Sequence, residues 1–335
     1  MIFGHQKTLK LLSKYFSPQK INQKKKLSHA FLFSGPKNIG KKTIAFFLAK
    51  YIEGSHPFSF LEFLSKNCQC QTCRQIEKGN YPAISIVSKE EEKKQIGIEE
   101  IREIRRAVSL SSPFPFKIVI IDEAHFLSQE AAGALLKTLE EPKGDTIFFL
   151  ISSVPSFLPK TILSRVEIFR FFPLSRQEIF QFLQKIKIEE RISLTDFEET
   201  KILDLSLGRP AIAKKLLLDK TEFDNYNLLV KKIEKLLSLD TFSRLKLAQT
   251  IEKRKRIEDF LFLLEFWFRD LMLLKIGNEE KISFLSWRES LKKQAQEIEE
   301  TKIYQSLKEI RKVKNLLNYS SISKILALEN LLLWL

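Results

Sequence analysis

The chain has 335 residues, 44% of them hydrophobic and 29% charged, with a formal net charge of +15 at pH 7. Its length exceeds the usual single domain and predicts two or three, and its composition is ordinary for a soluble globular protein. Three cysteines clustered at Cys68, Cys70 and Cys73 exclude a disulfide framework and fit a reduced, cytoplasmic protein with a metal site to consider. The opening MIFGHQKTLK lacks the apolar run of a signal peptide. The most apolar segment, 260–274, is interrupted by Glu265, Arg269 and Asp270, so it reads as a core helix and not a membrane span. The excess of positive charge has two readings. One is proximity to nucleic acid or an acidic partner; the other is a lysine- and isoleucine-rich composition shared by a whole proteome. Lys24–Lys26 is the one basic run that stands out.

In chain order, Leu9, Leu12 and Phe16 mark a short amphipathic helix, which Pro18 is expected to end, with a polar linker to Lys26. HAFLF at 29–33 reads as a buried strand that runs into Ser34-Gly35-Pro36-Lys37-Asn38-Ile39-Gly40-Lys41-Lys42-Thr43. Ile44, Phe47, Leu48 and Tyr51 follow at helical spacing, giving the strand, glycine-rich loop and helix that a phosphate-binding loop requires. The segment from Glu53 to Asn80 loses periodicity and carries the cysteines. Ile84 to Val87 is a further short strand. Ile98, Ile101, Ile104 and Val108 form the apolar face of a helix whose other face carries Arg102, Arg105 and Arg106. Those arginines read as a solvated face, with a neighbouring subunit or DNA phosphates as the alternative.

The stretch from Lys117 to Arg170 is the centre of the pattern. An unbroken apolar run, Ile118 to Ile121, ends in Asp122 and Glu123, as a strand buried on both faces of a parallel sheet does. A helix N-capped by Ser128 follows, with Ala132, Leu135, Leu136 and Leu139 on one face and Pro142 as its stop. A second buried strand, 146–151, ends in Ser152 and Ser153, and a proline-punctuated loop carries Arg165 just before a last strand at 166–172. Alternating strands and helices predict an α/β fold built on a parallel sheet. Beyond Pro173 only helices are expected. They begin with the capping box Ser175 to Glu178 and continue through about 196–207 and 210–218, which Gly208-Arg209 separates. The segment 257–274, apolar nearly all round, is the expected centre of a helical bundle.

The phosphate loop is close to the usual pattern but damaged. Gly35 and Gly40 let backbone N–H groups approach phosphates, and Lys41 supplies the charge. The Ser or Thr that binds Mg²⁺ is replaced by Lys42, and Thr43 cannot take its place, because one residue along a helix turns a side chain by about 100°. Asn38 stands where a third glycine is usual, and Asn tolerates the left-handed conformation. Phosphate affinity is compatible with this loop and metal-assisted hydrolysis is not; an inherited turn that binds no nucleotide is the alternative. Cys70-x-x-Cys73 with Cys68 is a zinc pattern one ligand short, which His56 or Glu53 would complete; free thiols in a surface loop are the alternative.

The combination SHAFLFSGP…GK, CQTC, IVIIDEAH, ALLKTLEEP and PKTILSR resembles the bacterial clamp-loader subunits of the AAA+ superfamily over about Gly4 to Ala213, and its broken loop is similar to the delta-prime branch of that family. The resemblance implies a P-loop AAA+ base at 1–172 with a Cys-rich insert at about 54–80, a three-helix lid at 173–218, and an all-α collar at 219–335. It implies that Ser164-Arg165 is an SRC-type motif, with Val166 in place of Cys, whose arginine reaches the ATP site of an adjacent tau/gamma subunit. Asp122 and Glu123 match the acids that serve metal and attacking water, Ser152 or Ser153 matches sensor 1, and Arg209 matches sensor 2; beside Lys42 these read as vestigial. The implied partners are tau/gamma and delta subunits in a hetero-pentameric ring, with the sliding clamp and primed DNA reached through it. The family's zinc module normally has four cysteines, against three here. An active tau/gamma-like ATPase is the alternative reading, and a stand-alone DNA-binding protein a weaker one.

Overall fold

The computed structural model describes residues 2–23, 27–54, 56–66, 68–90, 93–110, 113–319 and 322–335; the Lys24–Lys26 run lies outside them. These residues divide into two compact units, one of Met1–Glu178 with Arg209–Ala211, the other of Ile179–Gly208 with Ile212–Leu335.

The first unit is built on five strands, β1 (Ala30–Ser34), β2 (Ile84–Val87), β3 (Lys117–Ile121), β4 (Thr146–Ser152) and β5 (Glu167–Arg170). All pairs are parallel and the order is β2-β3-β4-β1-β5. Alternate residues of β1 face opposite sides of the sheet, as the period of two requires. Phe31 and Phe33 pack with Phe16, Phe149, Phe169 and Phe171 on one side, while Ala30 and Leu32 pack with Val119, Ile121, Phe148 and Leu150 on the other. Every residue of β1 and β4 is buried, which explains why these strands read as continuous apolar runs. Each fully buried Leu or Phe contributes roughly 2–3 kcal/mol over an exposed one. Phe31 and Phe149, partners in register on neighbouring strands, stack at 5.6 Å between centroids.

Because β4 lies between β1 and β3, the carboxyl ends of those three strands sit side by side at the point where the strand order reverses. Open α/β sheets place their ligands there. Two hydrogen bonds seat the N-terminal segment on this edge: Thr8 Oγ1 donates to the Arg170 carbonyl at 3.0 Å, and His5 Nε2 lies 2.8 Å from the Ile39 carbonyl.

The helices differ from the sequence pattern in two places. Pro18 does not simply close the first helix, Gln6–Tyr15; it occupies the first turn of another, Pro18–Asn22, where its missing N–H costs nothing. The segment after Glu53, aperiodic in sequence, holds the short helices Phe60–Lys66 and Gln71–Glu77. Each is seven residues long, too short to show a period, and is fixed by tertiary contacts: Phe60, Phe63 and Ile76 are buried, and Lys50 Nζ meets Glu77 Oε1 at 2.5 Å. The last strand is also shorter than 166–172, ending at Arg170.

The second unit is helical. Its centre is Ile257–Lys275, which buries Phe260, Leu261, Leu263, Leu264, Trp267, Phe268 and Leu271 and packs against Lys220–Lys235, Arg288–Glu297 and Glu300–Leu316. Trp267 Nε1 donates to Gln294 Oε1 at 2.9 Å, so the indole's one polar atom is satisfied. Among the described residues no helix is long and apolar enough to cross a membrane.

Candidate functional site

The loop after β1 has the backbone of a phosphate loop. Gly35 takes φ +148°, and a Cβ there would lie 2.3 Å from the Phe171 carbonyl oxygen, so only glycine fits. Asn38 is left-handed at φ 66°, as its residue type allows. Gly40, at φ 97°, opens the helix Lys41–Glu53, and a Cβ at this position would meet nothing within 4 Å. The side chains depart from a working site. Lys41 is buried and turns back on the loop, donating to the Gly35 and Pro36 carbonyls at 2.5 Å each. Burial pulls its ammonium down to about 8, against the opposing pull of Asp122. Lys42 Nζ lies 3.1 Å from Asp122 Oδ2, and Lys37 Nζ lies 3.1 Å from Glu123 Oε1. Thr43 is exposed.

The fold implies a Mg²⁺-nucleotide at this edge, and the residues present do not fit the metal. The side chain that would offer a hydroxyl ligand is an ammonium, and it is already paired with the carboxylate that should serve the cation. Ser152 is fully buried at the end of β4, but its hydroxyl is engaged elsewhere. It lies 3.3 Å from His125 Nδ1 and accepts from the Val154 N–H at 3.1 Å, while Ser153 Oγ lies 3.5 Å from His125 Nε2. Arg209 is buried, close in sequence to Ala211, whose N–H donates to the Asn38 carbonyl of the loop at 3.2 Å.

Arg165 stands apart from these lysines and carboxylates. It follows the one-turn helix Lys160–Leu163 and leads into β5, with its side chain 37% exposed. One terminal nitrogen donates to the Thr161 carbonyl at 3.0 Å and to Ser164 Oγ at 3.1 Å, and the other meets Glu140 Oε1 at 2.7 Å. Ser164 itself donates to the Thr161 carbonyl at 3.0 Å. The guanidinium is thus oriented by its own chain while remaining accessible.

Next to it, a cavity of about 580 Å³ opens between the helices Ile98–Ser109 and Gln129–Glu140, lined by Arg102, Arg105, Arg106, Lys137, Thr138, Glu140 and Lys143 among others. Ile101, Ile104 and Val108 are buried beneath it, as the periodicity requires, which leaves the arginines on the open side. The Thr138 hydroxyl is buried and makes no hydrogen bond among the described residues.

The Cys-rich insert forms a separate cluster. The ligand atoms of His56, Cys68, Cys70 and Cys73 all lie within 4.8 Å of one another, with Cys73 Sγ 3.5 Å from His56 Nε2. Backbone N–H groups point at the sulfurs: Cys70 N–H to Cys68 Sγ at 3.5 Å and Cys73 N–H to Cys70 Sγ at 3.4 Å, the latter capping the helix Gln71–Glu77. Burial, with Lys50 adding to it, pulls the His56 imidazole below its usual value, which favours the neutral ligating form. Burial works to raise the Cys70 thiol, but the N–H and thiol donors around it outweigh that and hold it low. Burial and the neighbouring thiols push Cys73 up. Four convergent N and S donors fit zinc, which would be held by these four residues and would cross-link the insert as a structural ion. Glu53, the other candidate for the fourth ligand, is committed elsewhere: it accepts from Tyr81 Oη at 2.7 Å and from the Phe116 N–H at 3.1 Å.

The sequence reading missed Lys37 as the partner of Glu123, Glu140 as the partner of Arg165, His125 beside the two serines, and Thr138 in the basic cavity. Their signals were present, since Lys37 is a charge inside the loop and Glu140 lies in LEEP, but pairing between distant segments is not legible before the fold.

Sheet order and the glycine-rich loop after β1 define an α/β protein of AAA+ type. Residues 9–175 match the family described as DNA polymerase III, delta subunit, and residues 221–335 match DNA polymerase III, delta subunit, C terminal. The chain is 30% identical to the DNA polymerase III subunit delta' of Bacillus subtilis over 281 residues, covering 82% of this chain and 80% of that one. It is 33% identical to subunit tau of the same bacterium over 275 residues, covering 75% of this chain and 46% of the relative. With subunit gamma of Buchnera aphidicola from Acyrthosiphon pisum it shares 35% identity over 216 residues, 64% of this chain and 58% of that one. It therefore spans about half the length of the tau and gamma relatives and most of the delta' relative. The chain belongs to the clamp-loader subunit family of DNA polymerase III that comprises delta-prime and tau/gamma.

Proposed function

We propose that the chain is a delta-prime-type subunit of the DNA polymerase III clamp loader, which hydrolyses no ATP itself and lends Arg165 to the ATP site of a neighbouring tau/gamma subunit. The observation that carries this reading is the state of Arg165. Its guanidinium is oriented and accessible, while its own chain's Asp122 and Glu123 are paired with lysines instead. A guanidinium supplied in trans stabilises the charge that develops on a transferring γ-phosphate. The match of residues 221–335 to the family described as DNA polymerase III, delta subunit, C terminal supports delta-prime over tau/gamma. In this reading residues 1–172 form the base, 173–218 the lid and 219–335 the collar that joins the ring. The basic cavity of Arg102, Arg105, Arg106, Lys137 and Lys143 faces the phosphates of primed DNA. Zinc in the His56 and cysteine cluster is structural.

The test is a loader reconstituted from this chain with the tau/gamma and delta subunits of the same source. Arg165→Ala is expected to lower turnover at the neighbouring site by about 10³-fold or more, with assembly unchanged by gel filtration. Undiminished DNA-stimulated ATPase in that complex rejects the role of Arg165. Mg²⁺-dependent ATP turnover by the isolated chain, abolished by Lys41→Ala, would establish the tau/gamma-like alternative.

A further inference from the structure

We infer that Lys42 is a tethered counterion, an ammonium fixed where a hydrolysing P-loop protein works with a divalent cation, and that it closes the carboxylate end of β3 to metal. The loss of a hydroxyl ligand alone would leave Asp122 and Glu123 free to attract a cation. Here each acid has a lysine from the loop or its helix: Lys42 Nζ at 3.1 Å from Asp122 Oδ2 and Lys37 Nζ at 3.1 Å from Glu123 Oε1. The third lysine, Lys41, is satisfied by two carbonyls. Two negative charges are thus matched by two positive ones without any solute, and Asp122 is mostly covered, its side chain 20% exposed.

A divalent cation approaching Asp122 has to displace an ammonium that cannot diffuse away, and it is repelled by that ammonium as long as Lys42 stays nearby. Attachment to the first turn of the helix Lys41–Glu53 makes the competition intramolecular. The edge of the sheet is then charge-compensated whatever the nucleotide and Mg²⁺ levels, so this subunit's loop keeps one state while neighbours cycle. This deepens the proposed non-hydrolytic role and rests on it.

The probe is Mn²⁺, followed by the electron paramagnetic resonance signal of the free ion, with the full chain in its zinc-loaded form. Mn²⁺ prefers oxygen ligands, so the thiolate cluster does not compete. Wild type is expected to show no site that depends on Asp122. Lys42→Ala and Lys42→Thr are each expected to gain one site, at least about tenfold tighter than anything in wild type, and adding Asp122→Asn should remove it. A wild-type site that Asp122→Asn abolishes overturns the inference. So does the absence of any gained site in whichever of the two variants keeps the wild-type circular dichroism. Neither outcome bears on the Arg165→Ala experiment in the assembled loader, so the two readings fail separately.

Discussion

The His56 and cysteine cluster gives the most direct test of the insert. His56→Phe keeps an aromatic ring where the imidazole now stacks on Phe58, at 5.3 Å between centroids, and on Tyr51 at 6.2 Å, but it removes the nitrogen that lies 3.5 Å from Cys73 Sγ. Packing is thereby held nearly constant while one of four ligands is lost. Changes outside the ligand shell already cost about 10–100-fold in metal affinity, so loss of a ligand should cost more than about 100-fold. A metal present at 100 to 1,000 times its dissociation constant stabilises the fold by about 3–4 kcal/mol. In a domain the size of the first unit each kcal/mol moves Tm by roughly 2–4 °C. Stripping zinc from the wild type should therefore lower the transition of that unit by roughly 6–16 °C. Because burial and its neighbours hold the Cys73 thiol protonated in the metal-free cluster, zinc must displace a proton, and affinity should climb with pH. The assays are zinc content of the purified protein and scanning calorimetry with and without chelator. One equivalent of zinc is expected in the wild type and in His56→Cys, and much less in His56→Phe. Equal, chelator-resistant zinc in His56→Phe would refute the four-ligand arrangement, and metal-free wild type would refute the site.

The second unit carries a pH-dependent term. Asp270 is fully buried, accepts from the Ser283 and Phe284 N–H groups at 2.6 and 2.9 Å, and is pushed up to about 6 by burial despite those bonds and Arg269. The folded state therefore holds a proton that the unfolded state has lost, and stability falls as pH rises from about 4 to about 6. The shift corresponds to about 3 kcal/mol. In urea melts at pH 4.5 and 7, Asp270→Asn should flatten this segment; an unchanged difference between the two pH values refutes the assignment. Replacing Arg102, Arg105 and Arg106 together by Glu should weaken DNA stimulation of the assembled loader and reduce the salt dependence of DNA binding, each lost phosphate contact lowering the slope by roughly 1. An unaltered slope would place DNA elsewhere. The Arg165→Ala and Lys42 experiments complete the set.

Much of the candidate site was legible because it is local. The unbroken apolar runs marked both the parallel sheet and where its strands end, and so placed Asp122, Glu123 and Ser152 at one edge. Asn38 reads as a residue that tolerates the left-handed conformation, and it takes φ 66°. Ser128 caps its helix by accepting from the Ala131 N–H at 3.1 Å, and Ser175 with Glu178 forms the expected box. What was not legible is of two kinds. Helices of seven residues have no period to detect, and the choice between His56 and Glu53 depends on where two side chains of one short segment point after folding.

The sequence by itself determined that a glycine-rich loop follows the first strand, that it carries Lys42 where a metal-binding hydroxyl is usual, and that an arginine precedes the last strand, because these are properties of consecutive residues. Tertiary structure alone decided who meets whom. Inserting β4 between β1 and β3 lets loop and strand end share one edge, so Lys42 reaches Asp122 and Lys37 reaches Glu123. Packing of the segment before β5 near the end of the Gln129–Glu140 helix gives Arg165 its partner in Glu140. Charge pairing across such distances in sequence depends on the folded sheet, since only there do the groups come within a few ångströms of one another.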